Sequence, residues 1–266
     1  MVKQRTVVVT GSASGMGAAT RARLVADGQR VIGIDLRDAD IEADLATEDG
    51  RRAAIDAVAA QADGSIDGLV TWAGLAGLEK LPGSLLVAVN YFGTVALLDG
   101  LRPLLAGGER PAAVAIASNS TTVQPGIPMD VVDACLDGDE PGARKAADAA
   151  GAMATYPATK TAVARWTRRH AVQPEWAGAG ITLNAVAPGV VETPMLQATR
   201  EDPVLGQHID VFPVPVGRKG TPDELAAFVQ FLLGPDARFF CGSVLFVDGG
   251  TDAHFHPDAV PQPWVL

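Results

Sequence analysis

Short apolar runs alternate along the chain with stretches whose apolar residues recur at helical spacing. Thr6-Val-Val-Val-Thr10 is continuous and β-branched, the pattern of a strand buried on both faces of a parallel sheet, and Gly11 ends it. Ala18 to Ala26 predicts a helix closed near Gly28, and Arg30 to Asp35 a second strand. Thr47, followed by Glu48 and Asp49, caps a helix running to about Ala62. Further strands are predicted at Gly68 to Ala73, Ala112 to Ser118, Ile181 to Ala187 and Ser243 to Asp248. Helical spacing covers Leu85 to Leu105, Thr155 to Trp176 and Pro222 to Leu233, where Pro222 suits a first turn.

Strands alternating with helices predict an α/β protein: a single Rossmann-fold domain over residues 1–266, with a doubly wound parallel sheet. No repeat or linker divides the chain. Two segments stand outside the pattern. Gln124 to Gly151 is polar and acidic, with Pro125, Pro128 and Pro141, and reads as an insertion. Pro188 to Gly220 is proline-rich with scattered apolar residues and reads as a substrate loop. Both follow strands, on the edge where open α/β sheets hold ligands.

Composition narrows the partners. At 266 residues and 48% hydrophobic, the chain can bury a large core without staples. Its formal net charge of −10 repels nucleic acid and anionic membrane surfaces. No apolar run approaches the length of a membrane span, and the first strand comes too early for a signal peptide. Cys135 and Cys241 form neither a disulfide framework nor a zinc spacing, so a reducing, cytoplasmic compartment is expected. His254 and His256 lack further ligands near them in sequence, and no metal is expected. Trp166 and Trp176 read as core or interface, and the apolar tail Trp264-Val-Leu266 as a cover for a partner subunit or a frayed end.

The chemistry begins at Thr10-Gly-Ser-Ala-Ser-Gly-Met-Gly17, which joins a strand to a helix. Gly11 permits a tight turn, Gly15 close approach of a pyrophosphate, and Gly17 close helix packing; the helix N-terminus adds free N–H groups. A glycine-rich turn of any α/β fold would look alike. What separates the two is Asp35, which ends the second strand 18 positions beyond Gly17, where a carboxylate takes ribose hydroxyls. Tyr156 and Lys160 stand four apart on one helix face. Bringing a tyrosine from pKa 10 to about 7 takes roughly 4 kcal/mol of preferential phenolate stabilisation, which a neighbouring ammonium and an oxidised nicotinamide can supply. Taken alone the pair fits an amphipathic Tyr and a solvated Lys. Ser118 ends an apolar strand on the same sheet edge, as a substrate-oxygen ligand or a plain strand cap.

With these residues the chain resembles the classical short-chain dehydrogenases/reductases over nearly its full length. The first loop, with Gly11, Ser14, Gly15, Met16 and Gly17, is similar to their cofactor loop; Asp35 and Leu36 stand where they hold the adenosine ribose. Asp44-Leu45 resembles their adenine-contacting pair, and Trp72-Ala73-Gly74 stands where they carry Asn-Asn-Ala-Gly. Asn90 resembles the structural and proton-relay Asn, and Ser118, Tyr156 and Lys160 complete that catalytic tetrad. Pro188-Gly189-Val-Val191-Glu-Thr193 is similar to the segment that holds the nicotinamide amide. Gly33-Ile-Asp35-Leu-Arg-Asp-Ala-Asp40, Val89-Asn-Tyr-Phe-Gly93 and the Asp248-Gly-Gly-Thr-Asp252 ending most resemble the bacterial 3α-hydroxysteroid dehydrogenase/carbonyl reductase group. Two features depart: Trp72 replaces an Asn, and Ser118 and Tyr156 are 38 positions apart, a longer interval than most members have.

The resemblance implies an NAD-dependent enzyme moving a hydride between cofactor and a secondary alcohol or ketone, and a homodimer or homotetramer. Met195, Leu196, Val204, Leu205, Ile209 and Phe212 in the late loop favour a bulky apolar substrate of hydroxysteroid or cyclic terpenoid type. Some of the insertion's Ile127, Met129, Val131, Val132 and Leu136 are expected to supply a second wall, and Leu75 and Leu78 follow the third strand on the same edge. A reductase of sugars or β-ketoacyl groups, and a non-catalytic nucleotide sensor, remain the alternatives.

Overall fold

A computed structural model describes residues 4–260; the tail Trp264-Val-Leu266 lies outside them. Seven parallel strands form one sheet in the order β3-β2-β1-β4-β5-β6-β7. They are β1 (Thr6–Thr10), β2 (Arg30–Asp35), β3 (Ile41–Glu42), β4 (Gly68–Thr71), β5 (Ala112–Ile116), β6 (Thr182–Pro188) and β7 (Val244–Val247). Thr10 stands level with Ile34 of β2 and Thr71 of β4. The chain order reverses between β1 and β4, opening a crevice at their carboxyl ends. The six predicted strands are present. β3 was not foreseen, because two residues beside charged neighbours carry no pattern.

The sheet is covered on both faces because alternate residues of a strand point oppositely. Val7 and Val9 join Leu24 of α1 (Gly15–Ala26) and Leu225, Val229 and Leu232 of α11 (Pro222–Leu233). Val8 faces the opposite layer, with α2 (Glu48–Gln61), α4 (Thr94–Ala106) and α8 (Ala152–Ala171). Thr47 caps α2 by accepting Gly50 N–H, and Thr221 and Glu224 form a reciprocal capping box on α11.

Four sequence expectations are corrected. First, Gly83–Ala106 is one helical stretch, long and apolar enough to cross a membrane, against the expectation that no such run exists. It is a core element: α3 (Gly83–Leu86), a π-helical turn (Val87–Gly93) and α4 bury Leu86, Val87, Leu97, Leu98, Leu101 and Leu105. Second, the helix predicted to end at Trp176 stops at Ala171, and Pro174–Gly178 makes a separate π-helical turn. Trp166 and Trp176 meet edge to face at 6.0 Å, both buried, so they belong to the core.

Third, the segment Gln124 to Gly151 is helical. Beyond α5 (Ser120–Val123) come α6 (Met129–Leu136) and α7 (Glu140–Ala150), both packed against α8. Pro128 precedes α6 and Pro141 sits in the first turn of α7, where proline starts a helix. Glu140 meets Arg51 at 2.8 Å and so ties α7 to α2. Fourth, Val131 and Val132 are buried in the core, not in a substrate wall. The late loop carries α9 (Pro194–Glu201), capped by Thr193, and α10 (Gly206–Ile209); α12 (Thr251–Phe255) follows β7.

Candidate active site

The glycine-rich loop leaves β1 and enters α1 on the rim of the crevice. Gly11 has φ +66°, and a Cβ there would stand 2.7 Å from Ala73 N, so the backbone of the β1 loop lies against the β4 loop. A Cβ on Gly17 would stand 2.0 Å from Gly11 O. Only glycines let α1 start this close to the loop. The N–H groups of its first turn, Gly15, Met16 and Gly17, therefore open onto the crevice with no intrahelical acceptor. Ser14 caps α1 through its backbone, without a side-chain bond.

Asp35 lies at the end of β2. Its Oδ2 accepts Ala13 N–H at 2.9 Å and its Oδ1 accepts Leu36 N–H at 2.7 Å. Leu36 is exposed beside it. Asp44 is exposed and holds its own turn by accepting Ala46 N–H, whereas Leu45 is buried against Gly93. Trp72 is buried, and its indole N–H donates to Thr20 Oγ1 at 2.9 Å. The indole thereby braces α1 below the loop. A nest of free N–H groups facing an acid at the next strand end fits a dinucleotide: pyrophosphate at α1, ribose at Asp35.

Next to this crevice lies a cavity of about 640 Å³ at the carboxyl ends of β4, β5 and β6. Ser118, Tyr156 and Lys160 line one end of it, with Gly74, Pro188, Gly189, Val191 and Thr193. Ser118 lies two residues past β5; its Oγ accepts Ser120 N–H at 3.1 Å, which sets the hydroxyl's rotamer. The Ser118 hydroxyl draws the Tyr156 pKa down, but burial outweighs it and raises the phenol above its ordinary value. Lys160 Nζ donates to Ile116 O at 3.0 Å and lies 5.9 Å from the Tyr156 ring centre. Burial pushes its pKa down to about 8.

Asn90 sits in the π-helical turn of Val87–Gly93, fully buried. Its Oδ1 accepts Leu75 N–H at 2.7 Å, and its Nδ2 donates to Leu75 O at 3.0 Å and Thr159 Oγ1 at 3.3 Å. A Cβ on Gly74 would stand 3.2 Å from Asn90 Oδ1 and 3.5 Å from Lys160 Nζ, so only glycine leaves a gap between those two groups. The π-turn thus holds the Leu75 loop and brings Asn90 up to Lys160.

The far walls of the cavity are apolar. Leu75, Met195, Leu196, Leu205, Ile209 and Phe212 line it as expected; Leu78 and Val204 do not. None of Ile127, Met129, Val131, Val132 and Leu136 reaches it. The second wall is instead Val123, Pro125 and Met153, just before α6 and at the start of α8. Sequence reading missed these, together with Asn119, Ser120, Gln124 and His208. For all but His208, which lies in the late loop, their position between Ser118 and Tyr156 was the available signal. His256 Nε2 lies 2.8 Å from Thr122 O, and among the described residues no group of three or more His, Cys, Asp or Glu converges.

Known proteins resemble this chain over nearly its whole length. Residues 5–129 match the family model described as short chain dehydrogenase, and residues 142–252 that described as Enoyl-(Acyl carrier protein) reductase. The chain is 40% identical to the 3-alpha-hydroxysteroid dehydrogenase/carbonyl reductase of Comamonas testosteroni, over 94% of this chain and 98% of that one. It is 34% identical to the cis-4-hydroxycyclohexanecarboxylate dehydrogenase of Sinomonas cyclohexanicum, over 94% and 97%. The crystal structure of the 3-alpha-hydroxysteroid dehydrogenase from Pseudomonas sp. B-0831 complexed with NADH is 47% identical, with a TM-score of 0.91 over 96% of this chain and 99% of that one.

Proposed function

The chain belongs to the short-chain dehydrogenase/reductase family, and from that premise we propose that it oxidises bulky apolar cyclic secondary alcohols, or reduces their ketones. It is an NAD-dependent oxidoreductase. The observation that carries the substrate class is the cavity: one polar, reacting end at Ser118 and Tyr156, and walls of Leu75, Met153, Met195, Leu196, Leu205 and Phe212. Each substrate methylene buried there gains about 0.8 kcal/mol, so a ring system outbinds a short polar alcohol. A sugar's many hydroxyls would face a lining in which apolar side chains predominate. The similarity to hydroxysteroid and hydroxycyclohexanecarboxylate dehydrogenases supports the same class.

NAD, when bound, supplies the hydride acceptor. Asp35, Leu36, Asp44 and Leu45 would hold its adenosine half, and Gly11, Ser14, Gly15, Met16 and Gly17 its pyrophosphate. Ala73, Gly74, Pro188, Gly189, Val191 and Thr193, with Tyr156 and Lys160, would hold the nicotinamide half. Ser118 donates a hydrogen bond to the substrate oxygen and fixes it beside Tyr156. Tyr156 as phenolate takes the hydroxyl proton. Burial alone keeps Tyr156 a phenol, so the positive charge near it decides when it ionises. Lys160 supplies part of that charge, and Asn90 across Gly74 would hold a water through which Lys160 exchanges protons with solvent. Ketone reduction runs the same proton path backwards.

Assembly is proposed as a homodimer. α6 and α7 cover α8, the helix through which members of the family otherwise pair. β7 pairs only with β6 among the described residues, and Phe239, in the segment leading into β7, is fully exposed, which supports this edge as the pairing surface. Two free thiols and the use of NAD support a reducing, cytoplasmic location. The substrate reading is tested by kcat/KM with NAD across alcohols of rising ring count and equal reactivity. It expects a rise of at least tenfold from cyclohexanol to a two-ring alcohol; a match by isopropanol or a sugar alcohol would overturn it.

A further inference from the structure

No residue of α12 lines the cavity, yet this short helix is fastened to both of the cavity's apolar walls. Its own position is set by the sheet. Asp248 follows β7 directly; its Oδ1 accepts Gly250 N–H at 3.0 Å and its Oδ2 accepts Asp252 N–H at 2.7 Å, which fixes the turn into α12. A Cβ on Gly189 would stand 2.6 Å from Asp248 Cβ, so this turn lies tight against the end of β6. From there α12 reaches the late loop on one side and α5 on the other.

On the late-loop side, Thr251 is fully buried and its Oγ1 donates to Pro213 O at 2.9 Å. The Phe255 ring lies 6.0 Å from that of Phe212, which lines the cavity. On the other side, His256 follows α12 and its Nε2 lies 2.8 Å from Thr122 O. A carbonyl only accepts, so Nε2 carries the hydrogen. α5 stops at Val123 and Pro125 has no N–H, so Thr122 O is a helix-end carbonyl without a donor in its own turn, and His256 supplies one. The start of α5 is fixed locally, because Ser118 Oγ accepts Ser120 N–H and Ser118 O accepts Thr121 N–H at 3.2 Å. Its end, which brings Val123 and Pro125 to the cavity, is held from outside by His256 and by Gln124 Nε2, which donates to Met153 O at 3.0 Å.

We propose that Phe255 and His256 set the distance between the two apolar walls and so select the ring size the enzyme accepts. Both are positioning residues: Phe255 acts through Phe212, and His256 through the end of α5. The inference rests on the apolar-ring reading above and deepens it. Dispersion contacts fall off steeply when a gap of an ångström or less opens, so a wall that retreats loses its grip on a ring. A substrate too small to reach the walls feels no change. The walls hold the ring away from the reacting carbon, equally before and during hydride transfer, so their loss appears in KM and not in kcat.

The test compares isopropanol with a decalin mono-ol, at saturating NAD, in the wild type, His256→Ala, Phe255→Ala and His256→Gln. In the two alanine variants the KM of the decalin alcohol is expected to rise about three- to tenfold, with kcat within about twofold and the KM of isopropanol unchanged. His256→Gln carries an amide donor the same number of bonds from the backbone and should restore most of the decalin KM. NADH titration of each variant checks folding. An unchanged decalin KM in both alanine variants, an equal rise for the two alcohols, or a His256→Gln variant no better than His256→Ala overturns the spacing role and leaves the apolar-ring reading standing. A wild-type kcat/KM that does not favour the decalin alcohol over isopropanol defeats that reading and takes the spacing role with it.

Discussion

Asp35 Oδ2 accepts the Ala13 N–H across 2.9 Å, so the acid at the end of β2 and the phosphate loop after β1 are held as one unit. The same carboxylate would face the 2′-phosphate of NADP, and two such anions repel by about 1 kcal/mol in water and about 4 kcal/mol near a protein surface. The wild-type enzyme is expected to favour NAD over NADP by at least about fivefold in kcat/KM. Asp35→Ala should lower that ratio by a similar factor and also weaken NAD binding, because Ala13 N–H loses its acceptor. Equal values for the two cofactors in the wild type would remove Asp35 from this role.

Tyr156→Phe keeps the ring and removes the proton acceptor. Turnover should fall by about 10²–10⁴, while NADH titration still shows binding. In the wild type, alcohol oxidation should rise with pH as the buried phenol ionises, since burial holds it protonated. A Phe variant with near-normal turnover would overturn the mechanism.

Lys160 is held in the protein at a cost to stability. Burial lowers its pKa to about 8 from 10.5, so below pH 8 a buried ammonium opposes folding by about 3 kcal/mol. Between pH 8 and 10.5 the unfolded chain binds the proton more tightly than the folded one, so this penalty fades as pH rises. Lys160→Met should therefore be inactive yet more stable than wild type at pH 7, by ~1–3 kcal/mol after loss of the bond to Ile116 O. The gap should close by pH 10. Thermal melts of both proteins without cofactor, from pH 7 to 10, check it; a variant less stable at pH 7 would contradict the argument.

Much of this site was legible because its parts are local. A strand, a glycine turn, a helix and an acid at the next strand end are adjacent in sequence, and so are Tyr156 and Lys160. The insertion was misread because α6 and α7 use sparse signals: Val131, Val132 and Cys135 on one, Ala143 and Ala147 on the other. Asn90's partner, the backbone of Leu75, could not be read from spacing, since it depends on how β4 and the π-helical turn pack. The membrane-like composition of Gly83–Ala106 shows the converse: pattern gives apolarity, and only the fold shows what covers it.

Asp202 latches the substrate loop. It is buried, its Oδ2 accepts Glu79 N–H at 2.9 Å, and its Oδ1 accepts Val204 and Leu205 N–H at 3.0 Å each. Hydrogen bonds from Leu205, Glu79 and Val204 hold its carboxyl below the usual range. Its contribution is thus present above the ordinary carboxylate pKa and lost as pH falls through the lower folded value. Asp202→Ala should raise the KM of ketone reduction several-fold with a smaller change in kcat. In the wild type KM should rise only in acid, and the variant should lose that dependence. Unchanged KM in Asp202→Ala would show that the contact between the two loops does not shape the cavity.

Assembly supplies the last expectation. Phe239, five residues before β7, is fully exposed, Phe231 on α11 is 40% exposed, and the Phe231 and Phe240 rings meet edge to face at 5.9 Å. An apolar cluster next to an unpaired strand edge invites a second copy by two-fold pairing, in which each β7 extends the other's sheet. On the opposite side α6 and α7 occupy the face of α8, so a second two-fold interface, and with it a tetramer, lacks a surface. Light scattering should give a dimer, and Phe239→Asp, which sets a carboxylate at the centre of that contact, should shift it toward monomer. Because Phe239 is remote from Ser118 and Tyr156, NADH binding should survive the change. A tetramer in the wild type would show that the α8 face still pairs, and a Phe239→Asp dimer would move the interface away from β7.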